Sequence, residues 1–221
     1  MPRMSEYFRT RYAYDKGRAA VWRAICEYLQ PEVSPTATLL ELGSGYCDFI
    51  NQISAQKRYA VDIDSASARY CAEGVHFLQA SALNIPLPPR SVDLVFASNL
   101  LEHFDDKELV ALMGQIRTVL RPGGRLILIQ PNYFHAYREY WDDYTHKKAF
   151  THASLSDFLV ANGLHIRRTE PRFLPFSFKS RMPRSYWLTR IYLHAPWRPK
   201  AKQMLVIADL EDDTHVRRQT G

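Results

Sequence analysis

The sequence predicts an α/β domain, a largely parallel sheet with helices on both faces, and three observations carry that prediction. Apolar runs of strand length alternate along the chain with stretches that read as helix. One run, Leu39-Leu40-Glu41-Leu42, stops in Gly43-Ser44-Gly45-Tyr46-Cys47-Asp48, so an acidic residue is followed by two closely spaced glycines. A second run, Arg58-Tyr59-Ala60-Val61-Asp62-Ile63, lies about twenty residues on and carries a carboxylate at its tip. A strand that stops in a glycine turn lets the backbone approach a ligand closely, and a following helix offers free N–H groups and the positive end of its dipole. An acid at the end of the second strand of a nucleotide-binding βαβ unit accepts hydrogen bonds from ribose hydroxyls. A nucleotide-like cofactor is therefore expected at Gly43 to Gly45, with Asp62 on its ribose.

The elements follow in order. A helix is expected over residues 17–29, then the strand 38–42 that feeds the glycine turn, a helix, and a strand over 58–63. Asp64 before Ser65-Ala66-Ser67-Ala68 suits the cap of another helix. Strands over 76–80 and 94–98 come next; the second is an apolar run, Val92-Asp93-Leu94-Val95-Phe96-Ala97-Ser98-Asn99, behind a polar turn at Ser91. A helix over 105–119 ends in Leu120-Arg121-Pro122-Gly123-Gly124, a Pro-Gly-Gly turn that opens the buried strand 125–130. A loop, a helix over 154–161, a strand near 164–169 and a final strand over 203–209 complete the chain. Ligands of such sheets bind beyond the carboxyl ends of the strands where the strand order switches, which gathers Gly43, Asp62, Ser81 and Asn99 around one crevice.

Composition bounds the rest. The 221 residues, 46% hydrophobic and 24% charged, suit one soluble domain with a sizeable core. The start of the chain, Met1-Pro2-Arg3-Met4-Ser5-Glu6-Tyr7-Phe8-Arg9, has no apolar signal stretch, and no apolar run reaches membrane-spanning length, so a cytoplasmic protein is expected. Cys26, Cys47 and Cys71 are odd in number and lack C-x-x-C spacing, which argues for free thiols over a disulfide framework or a thiolate zinc site.

Taken in order, the pieces resemble the class I S-adenosylmethionine-dependent methyltransferases. That superfamily combines E/D-x-G-x-G, an acid after strand two, a P-x-P-x-x-S-F-D-L-V segment and L-R-P-G-G; Ile85-Pro86-Leu87-Pro88-Pro89-Arg90-Ser91-Val92-Asp93-Leu94-Val95 supplies the third of these. The match covers roughly residues 36 to 170. The resemblance implies a Rossmann-like seven-stranded sheet whose last strand is antiparallel, S-adenosyl-L-methionine as cofactor and S-adenosyl-L-homocysteine as product. It further implies a cofactor-binding set of Glu41, Gly43, Ser44, Gly45, Asp62, Ile63, Ser81, Ala82 and Asn99, with Glu41 supporting the methionine moiety. Many relatives place Asp where this chain has Ser81; the hydroxyl can accept the same bond from the adenine amino group without charge assistance. Dehydrogenases usually add a third glycine for the pyrophosphate. Here Cys47-Asp48-Phe49 occupies that region, a bulky and partly acidic turn that suits a phosphate-free, cationic sulfonium instead.

Methyl transfer needs two substrates aligned and, for some acceptors, a proton removed. Candidates cluster after strands four and five. His103 lies in Asn99-Leu100-Leu101-Glu102-His103, and His146 and Asp143 lie in Tyr140-Trp141-Asp142-Asp143-Tyr144-Thr145-His146. The second stretch resembles the D-x-x-H-x-x-x-F-T/S-x-x-x-L segment of small-molecule O-methyltransferases, whose histidine points into the site. Ubiquinone-pathway O-methyltransferases and enzymes that methylate the 2′-OH at RNA ends bind a divalent cation through E-x-x-E-H and a later histidine. Glu102, His103 and His146 match three of those four positions while Asn99 replaces the first carboxylate, so a metal is the lesser alternative and none is expected.

From residue 165 to 202 the chain carries ten Lys or Arg and one acid, Glu170, interleaved with aromatics and prolines. Such a stretch can pack as an insertion, or contact anionic lipid, nucleic acid or a phosphorylated substrate. The expected organisation is a single domain: a helical cap over 1–35, a cofactor-binding core over 36–170, a basic and aromatic insertion over 171–202, a final strand over 203–210 and a flexible tail over 211–221. The leading functional expectation is methyl transfer to an oxygen of a small biosynthetic metabolite, saccharide or lipid-linked acceptor, with peripheral membrane contact as an option. An RNA 2′-O-methyltransferase and a non-catalytic cofactor-binding interaction protein remain alternatives.

Overall fold

The computed structural model describes residues 17–175 and 184–211. Lys179, Arg181, the first part of the expected cap and nearly all of the expected tail lie outside the described residues. The helices are α1 (Gly17–Leu29), α2 (Asp106–Val119), α3 (Tyr133–Ala136), α4 (His152–Ala161) and α5 (Tyr186–His194). The strands are β1 (Thr38–Leu42), β2 (Lys57–Asp62), β3 (Val75–Gln79), β4 (Val92–Ser98), β5 (Leu120–Pro131), β6 (Leu164–Pro175) and β7 (Ala201–Leu210).

The strands form one sheet in the order β3-β2-β1-β4-β5-β7-β6. β7 runs antiparallel to both β5 and β6, and the other pairings are parallel. Because side chains alternate across a strand, Leu40 and Leu42 of β1, Val95 of β4 and Leu126 and Leu128 of β5 fall on one face, which α2 and α4 cover. Leu39, Phe96, Ile127 and Ile129 fall on the other, which α1 and α5 cover. Burial of both faces explains the near-continuous apolar runs of β1 and β4.

Local signals account for the long helices. In α1, Trp22, Ile25, Cys26 and Leu29 recur at helical spacing and are all buried. At the start of α2, Asp105 Oδ1 accepts from Glu108 N at 2.9 Å and Glu108 Oε2 accepts from Asp105 N at 2.8 Å, a reciprocal capping box.

Elsewhere the structure departs from expectation. No continuous helix follows β1: the chain runs from Gly43 into turns, with isolated helical bonds from Asn51 N to Cys47 O and from Ile53 N to Phe49 O. The causes are visible, since Cys47 sits at φ +56° and Ile50 N is taken by the Glu41 carboxylate at 3.1 Å. The segment is held instead by packing, Phe49 stacking on Phe96 of β4 at 3.6 Å between ring centroids. The helix expected after β2 is a 3₁₀ turn, Ser65–Tyr70, which Asp64 caps by accepting from Ala66 N. β5 begins at Leu120, so the Pro-Gly-Gly stretch belongs to an irregular strand start.

The carboxyl ends of β1, β2, β4 and β5 lie at one end of the sheet. Pro131 there pairs with Gln203, and Pro175 with Ala201, so the connection between β6 and β7 leaves and rejoins the sheet at that end.

Candidate active site

The crevice begins at the glycine turn, where Gly43 and Gly45 have φ of +67° and +50°. A Cβ at Gly43 would sit 3.0 Å from Leu100 Cδ1, so that side chain would have to give way on top of the strain of the positive φ. Gly43 N and Ser44 N donate to Val61 O at 2.9 and 3.2 Å, and Gly45 N donates to Asp62 Oδ2 at 2.8 Å. Asp62 Oδ1 accepts from Asp64 N at 2.8 Å. A carboxylate offers about four acceptor positions, so these two bonds fix Asp62 and leave it capacity for a diol. Burial raises its pKa, opposed by the N–H groups it accepts from. Beside it Ile63 is 54% exposed, an apolar surface next to the Asp62 carboxylate. Ser81 Oγ accepts from Leu83 N at 3.1 Å, and Ala82 is buried behind it.

Glu41 is buried, its carboxyl raised well above the ordinary range by desolvation and by the charges of Asp48 and Asp62. Its bond to Ile50 N makes it a strut beneath the turn. From α1, Arg18 reaches the same turn and pairs with Asp48 at 2.8 Å, with its guanidinium 5.4 Å from the Tyr46 ring centroid. Cys47 Sγ lies 3.0 Å from Cys71 Sγ, joining the turn to the segment after β2. Asn99, with φ +49°, closes the crevice beyond β4, where its Oδ1 accepts from Gln203 Nε2 at 2.7 Å.

Two histidines stand beyond β4 and β5, with ring centroids 5.2 Å apart. His146 Nδ1 is 2.7 Å from Tyr140 O. A carbonyl can only accept, so Nδ1 carries the proton and Nε2 is the basic nitrogen. His103 Nδ1 is 3.0 Å from Thr145 Oγ1, and that hydroxyl donates to Asp143 Oδ1 at 2.7 Å. The hydroxyl proton being committed to Asp143, Thr145 accepts from His103, which again leaves Nε2 basic. Burial and the neighbouring His146 lower the His103 pKa, so the ring is neutral at neutral pH.

Glu102 joins this pair. Its carboxylate and a ring nitrogen of each histidine lie within 4.8 Å of one another. Glu102 is 2% exposed, and burial pushes its pKa to about 8, with Asp143 adding to the rise. Its Oε2 and both polar side-chain atoms of Gln130, at the end of β5, are buried without a hydrogen bond among the described residues. Unpaired buried polar atoms are costly and call for a partner.

The structure therefore gathers Gly43, Ser44, Gly45, Asp62, Ile63, Ser81, Ala82 and Asn99 along the strand ends, and Glu102, His103, Asp143 and His146 beyond β4 and β5. Glu41 lies beneath the turn rather than on its surface. Sequence reasoning missed Arg18, Gln130, Thr145 and Gln203. Thr145 lies inside a quoted motif, but its bond to His103 spans 42 residues and leaves no local mark.

A family model described as a methyltransferase domain matches residues 40–128. The chain is 31% identical over 187 residues to a malonyl-[acyl-carrier protein] O-methyltransferase of Methylococcus capsulatus, a match covering 76% of this chain and 67% of that protein. It is 33% identical over 145 residues to the protein of the same name from Alcanivorax borkumensis, covering 58% of this chain. The chain spans 47% of the length of that second relative. Among solved structures, a SAM-dependent methyltransferase from Archaeoglobus fulgidus superposes with a TM-score of 0.64 at 18% identity, over 94% of this chain and 99% of that one. That likeness shows the fold. No helix of the described residues is long and apolar enough to cross a membrane.

Proposed function

The chain belongs to the class I S-adenosylmethionine-dependent methyltransferases, and from that membership we propose that it methylates a hydroxyl oxygen of a small acceptor, with His103 and His146 handling the proton. S-adenosylmethionine, the cofactor of this superfamily, supplies an electrophilic methyl group. When the cofactor is bound, Asp62 would hold the ribose diol, Ile63 would offer an apolar surface to the adenine, Ser81 would accept from its amino group, and the glycine turn would let the methionine end approach the backbone.

One observation carries the choice of acceptor: two neighbouring imidazoles, each with Nδ1 committed to an oxygen and Nε2 left basic, stand past the ends of β4 and β5. The relatives from Methylococcus and Alcanivorax are named for methylating malonyl-[acyl-carrier protein]. A carboxylate acceptor arrives without a proton at neutral pH and needs no base. A half-buried histidine pair, with His103 held neutral, suits an acceptor that still has one to lose, such as a hydroxyl of a metabolite, saccharide or lipid-linked sugar. Asp143, through Thr145, holds the His103 ring in the tautomer that can accept it.

A second reading has its own observation, the convergence of Glu102, His103 and His146, whose ligand atoms lie within 4.8 Å of one another. One carboxylate and two imidazoles fit zinc or another transition-metal ion. The same experiment separates the two. His103→Ala and His146→Ala should each keep affinity for S-adenosylhomocysteine, while the variant lacking the true base loses about 10² to 10⁴ in turnover, with or without a chelator. Full activity in both variants removes the base, and activity lost on chelation and restored by metal favours the cation.

A further inference from the structure

Outside the crevice, the most unusual surface is the outer side of α5 and the segment after it. Trp187, Leu188 and Ile191 are 63%, 49% and 66% exposed, and Trp197 is 71% exposed. Positions 187, 188 and 191 share one side of a helix, so three bulky apolar side chains form a ridge in water. The opposite side of α5 is already fastened to the domain. Tyr186 donates its hydroxyl to the Glu27 carboxylate at 2.6 Å, the Arg23 guanidinium lies 4.7 Å from the Tyr186 ring centroid, and Leu193 is buried. The helix cannot roll its apolar side inward without giving these contacts up.

Charge points to what lies opposite. Residues 176–200 contain six Lys or Arg and no Asp or Glu. Arg190 flanks the ridge along the helix and is exposed, and Lys200 is exposed just beyond Trp197. Arg190 keeps one distant carboxylate, Glu27 Oε2 at 3.7 Å, with both side chains nearly half exposed, so the pair screens little of its charge. A short helix with Trp, Leu and Ile outward and cations at its flanks is the pattern of segments that lie in a lipid interface, the indole rings at the headgroup level.

We propose that the ridge of α5, with Trp197, docks on an anionic lipid surface. A lipid surface accepts a convex apolar ridge with flanking cations without requiring a shaped partner. Placement agrees with the chemistry: this connection meets the sheet at the end where β5 passes into the segment carrying His146. That segment also bears Phe134, Tyr137, Trp141 and Tyr144, all more than half exposed. Docking therefore suits an acceptor carried on lipid. This last step alone rests on the proposed methyl transfer; the docking itself does not.

The test is sedimentation of the full chain with vesicles of phosphatidylglycerol and phosphatidylcholine in equal parts, and with vesicles of phosphatidylcholine alone. The wild type should bind the anionic vesicles, shift its tryptophan emission to the blue and release as salt is raised. Trp187→Ser with Ile191→Ser should lower the partition coefficient at least roughly tenfold, through the loss of buried apolar surface. Arg190→Gln should lower it roughly fivefold, and only on the anionic vesicles. All these side chains are exposed, so unchanged circular dichroism and Tm are expected and certify folding. No binding by the wild type, or binding undiminished in the double variant, overturns the proposal. So does a wild-type dimer in sedimentation velocity that the double variant dissociates, because the ridge would then be an interface between copies. Calorimetry with S-adenosylhomocysteine is run on the same proteins and should be unchanged, so failure of docking and failure of the methyltransferase reading are told apart.

Discussion

The carboxylate of Asp62 has a job in the structure that was invisible in the motif. The motif implies a ribose acceptor; the structure adds that both oxygens brace the turn, through Gly45 N and Asp64 N. Asp62→Asn keeps the shape but turns one oxygen into a donor, which cannot accept from either N–H. Binding of S-adenosylhomocysteine should weaken by about 1.5 to 3 kcal/mol by calorimetry, from loss of charge-assisted bonds. A lower Tm should accompany it, since a buried N–H loses its partner. Unchanged affinity with a lowered Tm would leave Asp62 as a brace alone. The turn that Gly43 and Gly45 form against Asp62 was legible in the sequence, because it is a chain-local pattern. Gln130 and Thr145 were not, because what singles them out is the company they keep after folding: a burial without partners and a bond across 42 residues.

At the scale of elements, strands and long helices were legible where apolar spacing and caps agree, as in α1, β1 and α2. The segment after β1 was misread because its conformation is set by a distant residue. Glu41, inside the preceding strand, takes the N–H of Ile50 that a helix would need. The same segment depends on α1. The Arg18 and Asp48 side chains are only 8% and 11% exposed, and burial still outweighs the guanidinium, leaving the Asp48 pKa raised. Arg18→Ala strands that carboxylate. Removing one partner of a buried pair costs roughly 3 kcal/mol, so Tm at pH 7 should fall clearly. The sign with pH follows from Asp48: its folded-state pKa, already raised, rises further in the variant, so ionisation penalises the folded state as pH increases. The gap between variant and wild type should therefore narrow as pH is lowered and Asp48 protonates, measured by thermal unfolding from pH 7 to pH 4. A gap that stays constant with pH would assign the loss to packing of the Arg18 stem.

Across the whole molecule, the sequence announced the basic stretch before the last strand but not how the domain holds it. Glu170, the only acid between residues 165 and 202, is the hub. From β6 it pairs with Arg198, which lies past α5, and with Arg168 at 2.5 Å, and it accepts from the Tyr28 hydroxyl of α1 at 2.8 Å. Arg198 also donates to Leu193 O at the end of α5, and its guanidinium sits 5.7 Å from the Phe173 ring centroid. Three elements far apart in sequence thus meet on one carboxylate, which is why a strongly cationic connection can pack at all. The network lies on the face of the sheet that α1 and α5 cover. Glu170→Gln should leave Arg168 and Arg198 facing each other with the hub charge gone and cost roughly 2 kcal/mol or more, the Arg198 and Glu170 side chains being only 12% and 15% exposed. Proteolysis should then cut within 176–200 before the rest of the domain, because α5 loses its tie to β6 before the core is affected. S-adenosylhomocysteine affinity should hold, since no residue of the glycine turn or of Asp62's surroundings touches the network. Uniform destabilisation, with cleavage spread over the chain, would instead mean that α5 and the core unfold as one unit and that Glu170 serves the whole sheet.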